Sequence, residues 1–261
     1  MEPMLPTPEP ASAPPPPASS PAGRLLNVFA APGDVFNEVK TAGVANANWL
    51  IPAVLLILAS WVSAALIFSQ PAIRQQMSEL ADKAIDQQVE KGKMSSDQAE
   101  KVKPTAEKMA VTAAAISATA GAPAVAFALP FWWGLILWLG GKVLNGSFSY
   151  MKAVEVAGLA NMILVLDVVV RTLLILVTGN VFASPSLALA VKDFDPQNTL
   201  HALCALVNVM LFWVLVVRSI GLAWLSGASV GKAAVWVFGI WAAYTGMLIG
   251  LGAALRAAFV H

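Results

Sequence analysis

Residues 156–177 read VAGLANMILVLDVVVRTLLILV, and this stretch decides the fold. It is apolar except for Asn161, Asp167, Arg171 and Thr172. At about 1.5 Å of rise per residue, a helix of roughly 22 residues crosses a hydrocarbon core of about 30 Å. The stretch is therefore predicted to be a membrane-spanning helix.

Asp167 falls near the middle of this predicted span, and Arg171 follows one turn later. Side chains four residues apart share a helix face, so the carboxylate and the guanidinium can pair. A charged group at that depth is costly if it faces lipid. Asp167 and Arg171 are therefore predicted to form an intramembrane charge pair that faces the other helices of a bundle.

The composition also indicates an integral membrane protein. Hydrophobic residues make up 58% of the chain and charged residues only 12%, whereas soluble domains are about 25% charged. The net charge of +1 predicts no nucleic-acid partner. The chain has no run of Lys or Arg, so recognition of acidic lipid is not predicted.

Residues that could carry chemistry are few. The single cysteine, Cys204, rules out an internal disulfide, and with only His201 and His261 besides it a metal site is not expected. We predict no catalytic residue, no cofactor and no metal.

Four other apolar stretches complete an all-α, polytopic bundle of five transmembrane helices. The second is interrupted by Pro123 and Pro130, which leaves a broken or re-entrant helix as an alternative. In the fourth, Arg218 is close enough to one end to snorkel. The five predicted spans are residues 49–69, 122–139, 156–177, 200–225 and 233–255.

The chain before the first span divides into two parts. Residues 1–23 contain nine prolines and are predicted to be a disordered, proline-rich tail. Residues 24–40 contain two short apolar clusters among polar positions. They are predicted to form a short amphipathic segment, lying at the membrane interface or packed on the bundle.

Residues 70–108 separate the first two spans and differ sharply in composition, with seven basic and seven acidic residues. Ile73, Met77 and Leu80 recur at helical spacing, and Ser95 with Gln98 forms a capping-box pattern. This segment is predicted to be a soluble helical hairpin inserted between spans. A partner-binding role is possible for it, although interleaved charges are more often simply a solvated face.

The fifth span carries a face of small residues, Ala242, Gly246, Gly250 and Ala254, at every fourth position. Such a face lets another helix approach closely. We favour packing inside the bundle over formation of a homo-oligomer through this span.

Residues 227–231 read GASVG and fit the GxSxG pattern of serine hydrolases. That motif requires a strand before the serine and a helix after it. Here it links two predicted spans, and His201 and His261 are both expected on the opposite side of the membrane. The protein is therefore not expected to be an enzyme.

Several short motifs together resemble bacterial proteins with the Yip domain, named for Ypt-interacting proteins, over residues 25–255. They are APGDVF at 31–36, WLIP at 49–52, GSFSYMKA at 146–153, RSIGL at 218–222 and GASVGKAA at 227–234. The resemblance implies five spans, a cytoplasmic N-terminus and no catalytic residues. Eukaryotic members are associated with Rab-type GTPases, but the charged hairpin and the proline-rich tail depart from the family, so no GTPase partner is carried over.

These observations predict a Yip-like membrane domain over residues 24–261 with the hairpin 70–108 inserted. We expect a membrane scaffold in a bacterial inner membrane, with the lipid bilayer and a protein as partners. The alternative is a small transporter or channel in which Asp167 and Arg171 line a polar path. Lys142, Lys152 and Lys232 in the short segments favour a cytoplasmic N-terminus by the positive-inside rule. The seven basic residues of the hairpin oppose this orientation, and they are discounted because seven acidic residues and a helical pattern indicate a small translocated domain.

Overall fold

The structure is a computed structural model that describes residues 20–192, 194–196 and 198–259. In these residues the secondary structure is helical, with no strand beyond one isolated bridge between Ser186 and Asn208. Five helical stretches are long and apolar enough to cross a membrane, which confirms the predicted all-α, five-span class. They are Ala47–Ser69, Ser96–Val143, Tyr150–Thr178, Val209–Ser226 and Val230–Gly252.

Two short helices precede the first span, α1 (Pro21–Ala30) and α2 (Pro32–Thr41). Helix α1 begins inside the segment predicted as a tail, because the Ser20 side chain accepts a hydrogen bond from Gly23 N at 3.1 Å and caps the helix. Pro32 starts the second helix at a position where its missing N–H costs little. The remainder of the predicted tail, residues 1–19, lies outside the described residues.

The first span, α3 (Ala47–Ser69), leads directly into the charged hairpin. Its arms are α4 (Pro71–Glu90) and α5 (Ser96–Ile116). The capping box at the start of α5 is present, since Gln98 N donates to Ser95 Oγ at 3.2 Å and Ser95 N donates to Gln98 Oε1 at 3.1 Å. Two helical arms therefore form where the sequence pattern places them.

The second arm of the hairpin does not end at residue 108. It continues through a π-helical turn, Ser117–Gly121, into α6 (Ala122–Val143), so that Ser96–Val143 is one helical stretch of 48 residues. Pro123 lies in the first turn of α6, and Pro130 lies within it without ending it. Helix α6 thus ends four residues beyond the predicted span 122–139, and the helix is continuous through both prolines.

The third span begins earlier than the predicted residue 156. Ser149 caps α7 (Tyr150–Ala160) by accepting a hydrogen bond from Lys152 N, and α8 (Met162–Thr178) follows after a break at Asn161. The linker between the second and third spans, which the polar composition of residues 141–155 predicts over that whole range, therefore ends at Ser149. This places Lys152 and Glu155 inside a helix rather than in a loop.

The predicted fourth span, 200–225, is divided into α9 (Thr199–Leu206) and α10 (Val209–Ser226). The division occurs because Asn208 caps α10, its side chain accepting from Met210 N at 2.8 Å and Leu211 N at 3.1 Å. Only α10 is a candidate span. The last helix, α11 (Val230–Phe259), extends beyond both ends of the predicted 233–255.

Helix α7 is at the centre of the bundle and packs against α3, α6 and α10. Glycines permit these close approaches: a Cβ at Gly158 would lie 2.4 Å from the Cα of Trp49 on α3, and one at Gly221 on α10 would lie 2.2 Å from Val156 Cγ1. Helix α7 therefore meets the backbone of α3 at Gly158, and its Val156 side chain fills the space that Gly221 leaves on α10.

The linkers collect at two opposite ends of the bundle. We call one the N-terminal end, where α1 and α2 pack and where Gly146 of the α6–α7 linker contacts Ser226 at the end of α10. We call the other the hairpin end, where Val181 N, after α8, donates to Gln76 Oε1 of α4 at 2.8 Å. Five spans that alternate in direction account for this division.

Candidate functional site

Asp167 and Arg171 lie on successive turns of α8, as their spacing predicts. Arg171 Nη2 is 3.7 Å from Asp167 Oδ2, which is a long ion pair. The Asp167 side chain is 17% exposed, but that of Arg171 is 50% exposed. The carboxylate thus faces other helices, whereas the guanidinium is not enclosed by the bundle.

A crevice of about 460 Å³ adjoins this pair, between α3, α5 and α8. Its polar lining consists of Ser60, Ser63, Asp167 and Arg171, and the rest of the lining is largely apolar. Asp167 Oδ1 has no hydrogen-bond partner among the described residues. The crevice is a place where a small polar group could meet a carboxylate within the membrane.

A more deeply buried polar cluster, which the sequence analysis missed, joins α3 to α7. Glu155 is 0% exposed, and Asn48 Nδ2 donates to its Oε2 at 2.6 Å. Lys152 Nζ lies 3.0 Å from Glu155 Oε1 and donates to the carbonyl oxygen of Gly43 at 2.8 Å. The cluster therefore ties the segment before α3 to the first turns of α7.

Arg218 occupies a second buried position, on α10. It is 2% exposed, so the prediction that it snorkels to the membrane surface is wrong. Its Nη2 donates to Asn161 Oδ1 at 2.8 Å, and its guanidinium lies 4.1 Å from the centre of the Trp133 ring. These contacts connect α10 to the break between α7 and α8 and to α6.

Sequence signals for both clusters were present but ambiguous. Ser149, immediately before the helical run that starts at Tyr150, is a candidate N-cap residue, which would have placed Glu155 inside the helix. Asn161 and Arg218 are strongly polar residues in two different apolar stretches, so each needed a partner. Nothing in a single sequence says that these two residues are each other's partners.

The GxSxG segment does not form a catalytic arrangement in the described residues. Ser229 is exposed between α10 and α11 at the N-terminal end. His201 lies at the hairpin end, where its Nδ1 accepts from Asp195 N at 3.1 Å. His261 lies outside the described residues. No group of three or more His, Cys, Asp or Glu that could hold a metal occurs in the described part of the chain.

The small-residue face of α11 is open to the surroundings. No atom of the described chain lies within 4 Å of a Cβ built at Gly246 or Gly250, and Ala242 and Ala254 are exposed. The preferred interpretation, packing inside the bundle, therefore does not hold within the described residues. Helix α11 instead contacts α10 and α6 through its first half, for example by Trp236 Nε1 donating to Ile136 O at 2.9 Å.

Five apolar helical stretches, buried charges in contact with each other and exposed apolar outer faces define a polytopic integral membrane protein. The family model described as the Yip1 domain matches residues 26–252. The chain belongs to the Yip1 family. No curated protein and no solved structure matches it.

Proposed function

We propose that the protein is a non-enzymatic scaffold of a bacterial inner membrane, which holds a protein partner at the bilayer surface. The observation that supports this most is that its buried charged side chains make contacts between helices. Glu155 and Arg218 both contact side chains on neighbouring helices, at 2.6 and 2.8 Å, and so hold the spans in one arrangement. The Yip1 family, which is a family of non-catalytic membrane proteins, fits this role.

The hairpin is the surface that we propose for the partner. Its own arms pack on each other through Ile85 and Ala99, which are buried, while Asp97 and Lys101 are exposed. At its base, Ile73 is 1% exposed and packs with Ile175 and Ala183. The base is therefore anchored on the bundle, and the charged distal part is available for contact.

Photocrosslinking in the native membrane tests this proposal. A photoreactive amino acid at Lys101 or, at the N-terminal end, at Asn37 should give a discrete crosslinked product with one protein. The matched control is Val62, which is 60% exposed on the lipid-facing side of α3 and should give no such product. Absence of a discrete product from both Lys101 and Asn37, with the control unchanged, would contradict the scaffold function.

We further propose that the N-terminal end faces the cytoplasm. It carries Lys142 at the end of α6 and Lys232 at the start of α11, in accord with the positive-inside rule. The seven basic residues of the hairpin oppose this orientation, and we discount them because its seven acidic residues and helical arms indicate a small translocated domain. In a Cys204→Ser background, Ser95→Cys should react with an impermeant thiol reagent in intact cells. Ser229→Cys, its counterpart at the N-terminal end, should react only after permeabilisation. The reverse result would invert the topology.

A transporter or channel is the second candidate, favoured by the crevice beside Asp167 and Arg171. If the crevice served transport, Asp167→Asn would keep the fold and abolish dissipation of an ion or proton gradient in proteoliposomes. Under the scaffold proposal, wild-type proteoliposomes leave such gradients unchanged. A gradient that the wild type dissipates and Asp167→Asn does not would favour the transporter.

The Asp167–Arg171 pair itself is expected to make a structural contribution. Asp167→Leu leaves Arg171 without its carboxylate and should lower the yield of folded protein, while Asp167→Leu combined with Arg171→Leu should recover most of it. Arg171→Leu alone should cost at least as much as Asp167→Leu, because it leaves unpaired the more buried of the two groups, the Asp167 carboxylate, which is 17% exposed. Yield and melting temperature in detergent measure this. Equal behaviour of wild type and Asp167→Leu would exclude the structural role.

A further inference from the structure

Arg218 carries a buried guanidinium near the middle of a span. It is 2% exposed, and α10 ends at Ser226, eight residues further on. At about 1.5 Å of rise per residue, Arg218 lies about 12 Å from that end of the helix, while a hydrocarbon core is about 30 Å thick. A charge at this depth requires a partner of opposite charge, because the cost of taking it out of water is otherwise uncompensated.

No carboxylate supplies this partner in the part of the chain that the structure describes. Helix α10 packs against α2, α6, α7, α8 and α11, and of these α6 and α11 contain no Asp or Glu. The carboxylates on the other three helices are exposed or pair with other cations: they are Asp34, Glu38 with Arg24, Glu155 with Lys152, and Asp167 with Arg171. The guanidinium is left with the neutral Asn161 amide and the face of the Trp133 ring.

Two buried donors at this contact lack an acceptor among the described residues. They are Arg218 Nε and Asn161 Nδ2. Asn161 is 1% exposed, and its Oδ1 accepts from Arg218 Nη2 at 2.8 Å, so both donors belong to side chains that touch each other. Buried donors are nearly always satisfied, because leaving one unpaired costs its full desolvation. The arrangement therefore lacks both an acceptor and a negative charge at one place.

We propose that Arg218 and Asn161 hold one monovalent anion of chloride size inside the bundle. The anion accepts hydrogen bonds from Arg218 Nε and Asn161 Nδ2, and its charge neutralises the guanidinium. The break between α7 and α8 at Asn161 provides the second donor, since the amide there reaches across to α10. The site joins the two helices through a solution ion, and this role is independent of the proposed scaffold function.

The donor set favours a halide over water and over larger anions. A buried water accepts hydrogen bonds but also brings two hydrogens that need acceptors. The buried side-chain oxygens without a hydrogen bond in the described chain, Glu155 Oε1 and Asp167 Oδ1, belong to the ion pairs with Lys152 and Arg171. A halide has no hydrogen to place. A divalent anion would leave an excess negative charge beside a single guanidinium.

Thermal unfolding of the purified full-length protein in detergent tests the proposal, with chloride replacing gluconate at constant sodium concentration and ionic strength. Gluconate is too large for a site between packed helices. We expect the melting temperature to rise with chloride concentration and then to saturate, because the anion binds the folded state. Bromide should act in the same way, and its anomalous scattering in crystals of the wild type should lie within hydrogen-bond distance of Arg218. Equal melting temperatures in chloride and gluconate would overturn the proposal.

Two matched variants separate this site from general salt effects. Asn161→Asp gives Arg218 a carboxylate and replaces the unpaired Nδ2 donor by an acceptor, so the chloride response should be lost. Its melting temperature in gluconate should approach that of the wild type in chloride. Asn37→Asp adds the same carboxylate at an exposed position of α2 and should keep the response. A full chloride response in Asn161→Asp, or bromide bound only away from Arg218 in the wild type, would refute the anion site.

Discussion

Glu155→Leu should lower the free energy of unfolding by about 3 to 5 kcal/mol, as is usual when one partner of a buried ion pair is removed. The change leaves Lys152 with only the Gly43 carbonyl as a partner and leaves the Asn48 amide, which is 3% exposed, without its acceptor. We expect the loss to be visible as a lower melting temperature in detergent and as reduced accumulation in the membrane.

The hairpin supplies a matched control for this prediction. Asp86 and Lys103 form an ion pair of 2.8 Å, but their side chains are 54% and 35% exposed. Asp86→Leu should therefore have little effect on stability, because exposed ion pairs are screened by water. A second comparison is Glu155→Leu with Lys152→Leu, which should be milder than Glu155→Leu alone because no unpaired charge remains. If Glu155→Leu were as stable as Asp86→Leu, the buried cluster of Asn48, Lys152 and Glu155 would not contribute substantially to the stability of the bundle.

Gly158→Ala should be the second strongly destabilising change, costing about 3 kcal/mol as an overpacked contact. A Cβ at this position would lie 2.4 Å from the Cα and 2.9 Å from a backbone oxygen of α3, at Trp49 and Asn48 respectively. Backbone atoms cannot rotate away as a flexible side chain can, so α3 and α7 must separate. The separation would also disturb the hydrogen bond between Asn48 and Glu155.

Gly246→Ala is the matched control, because it lies within α11 and an added Cβ would meet nothing within 4 Å. Relative to glycine, alanine favours a helix by about 0.8 to 1 kcal/mol, so this variant should be as stable as wild type or slightly more so. Unfolding titrations of both variants in the same detergent decide the point. Similar stabilities for Gly158→Ala and Gly246→Ala would mean that α3 and α7 are not in close contact at Gly158.

The sequence was most informative where a long apolar run or a local cap determines the structure. The apolar length of residues 49–69 predicted α3 (Ala47–Ser69) closely, since little else can accommodate such a segment. The pattern at Ser95 predicted the start of α5, because a capping box satisfies backbone donors locally. Such features depend on neighbours in the chain alone.

The candidate sites were less predictable because they depend on contacts between distant segments. Glu155 fell at the end of the predicted polar linker 141–155, yet Asn48 and Lys152 make its burial acceptable. Arg218 was given to the membrane surface, and only the position of Asn161 and Trp133 reveals why it can remain inside. By contrast, the contact between Asp167 and Arg171, at 3.7 Å, follows from helix spacing alone, although Arg171 is half exposed.

The second arm of the hairpin and the second span are parts of one helical stretch, Ser96–Val143. A helix is stiff along its axis, so this stretch connects the charged arm of the hairpin directly to the second span. The part formed by α6 contains Gly140, which lies directly against Trp236 of α11 and Leu222 of α10. If the stretch bends, the π-helical turn Ser117–Gly121 is the expected place, because π turns interrupt the regular hydrogen-bond ladder. The charged hairpin arm and the packing of the last two spans at Gly140 are therefore parts of one helical stretch, with the π-helical turn between them.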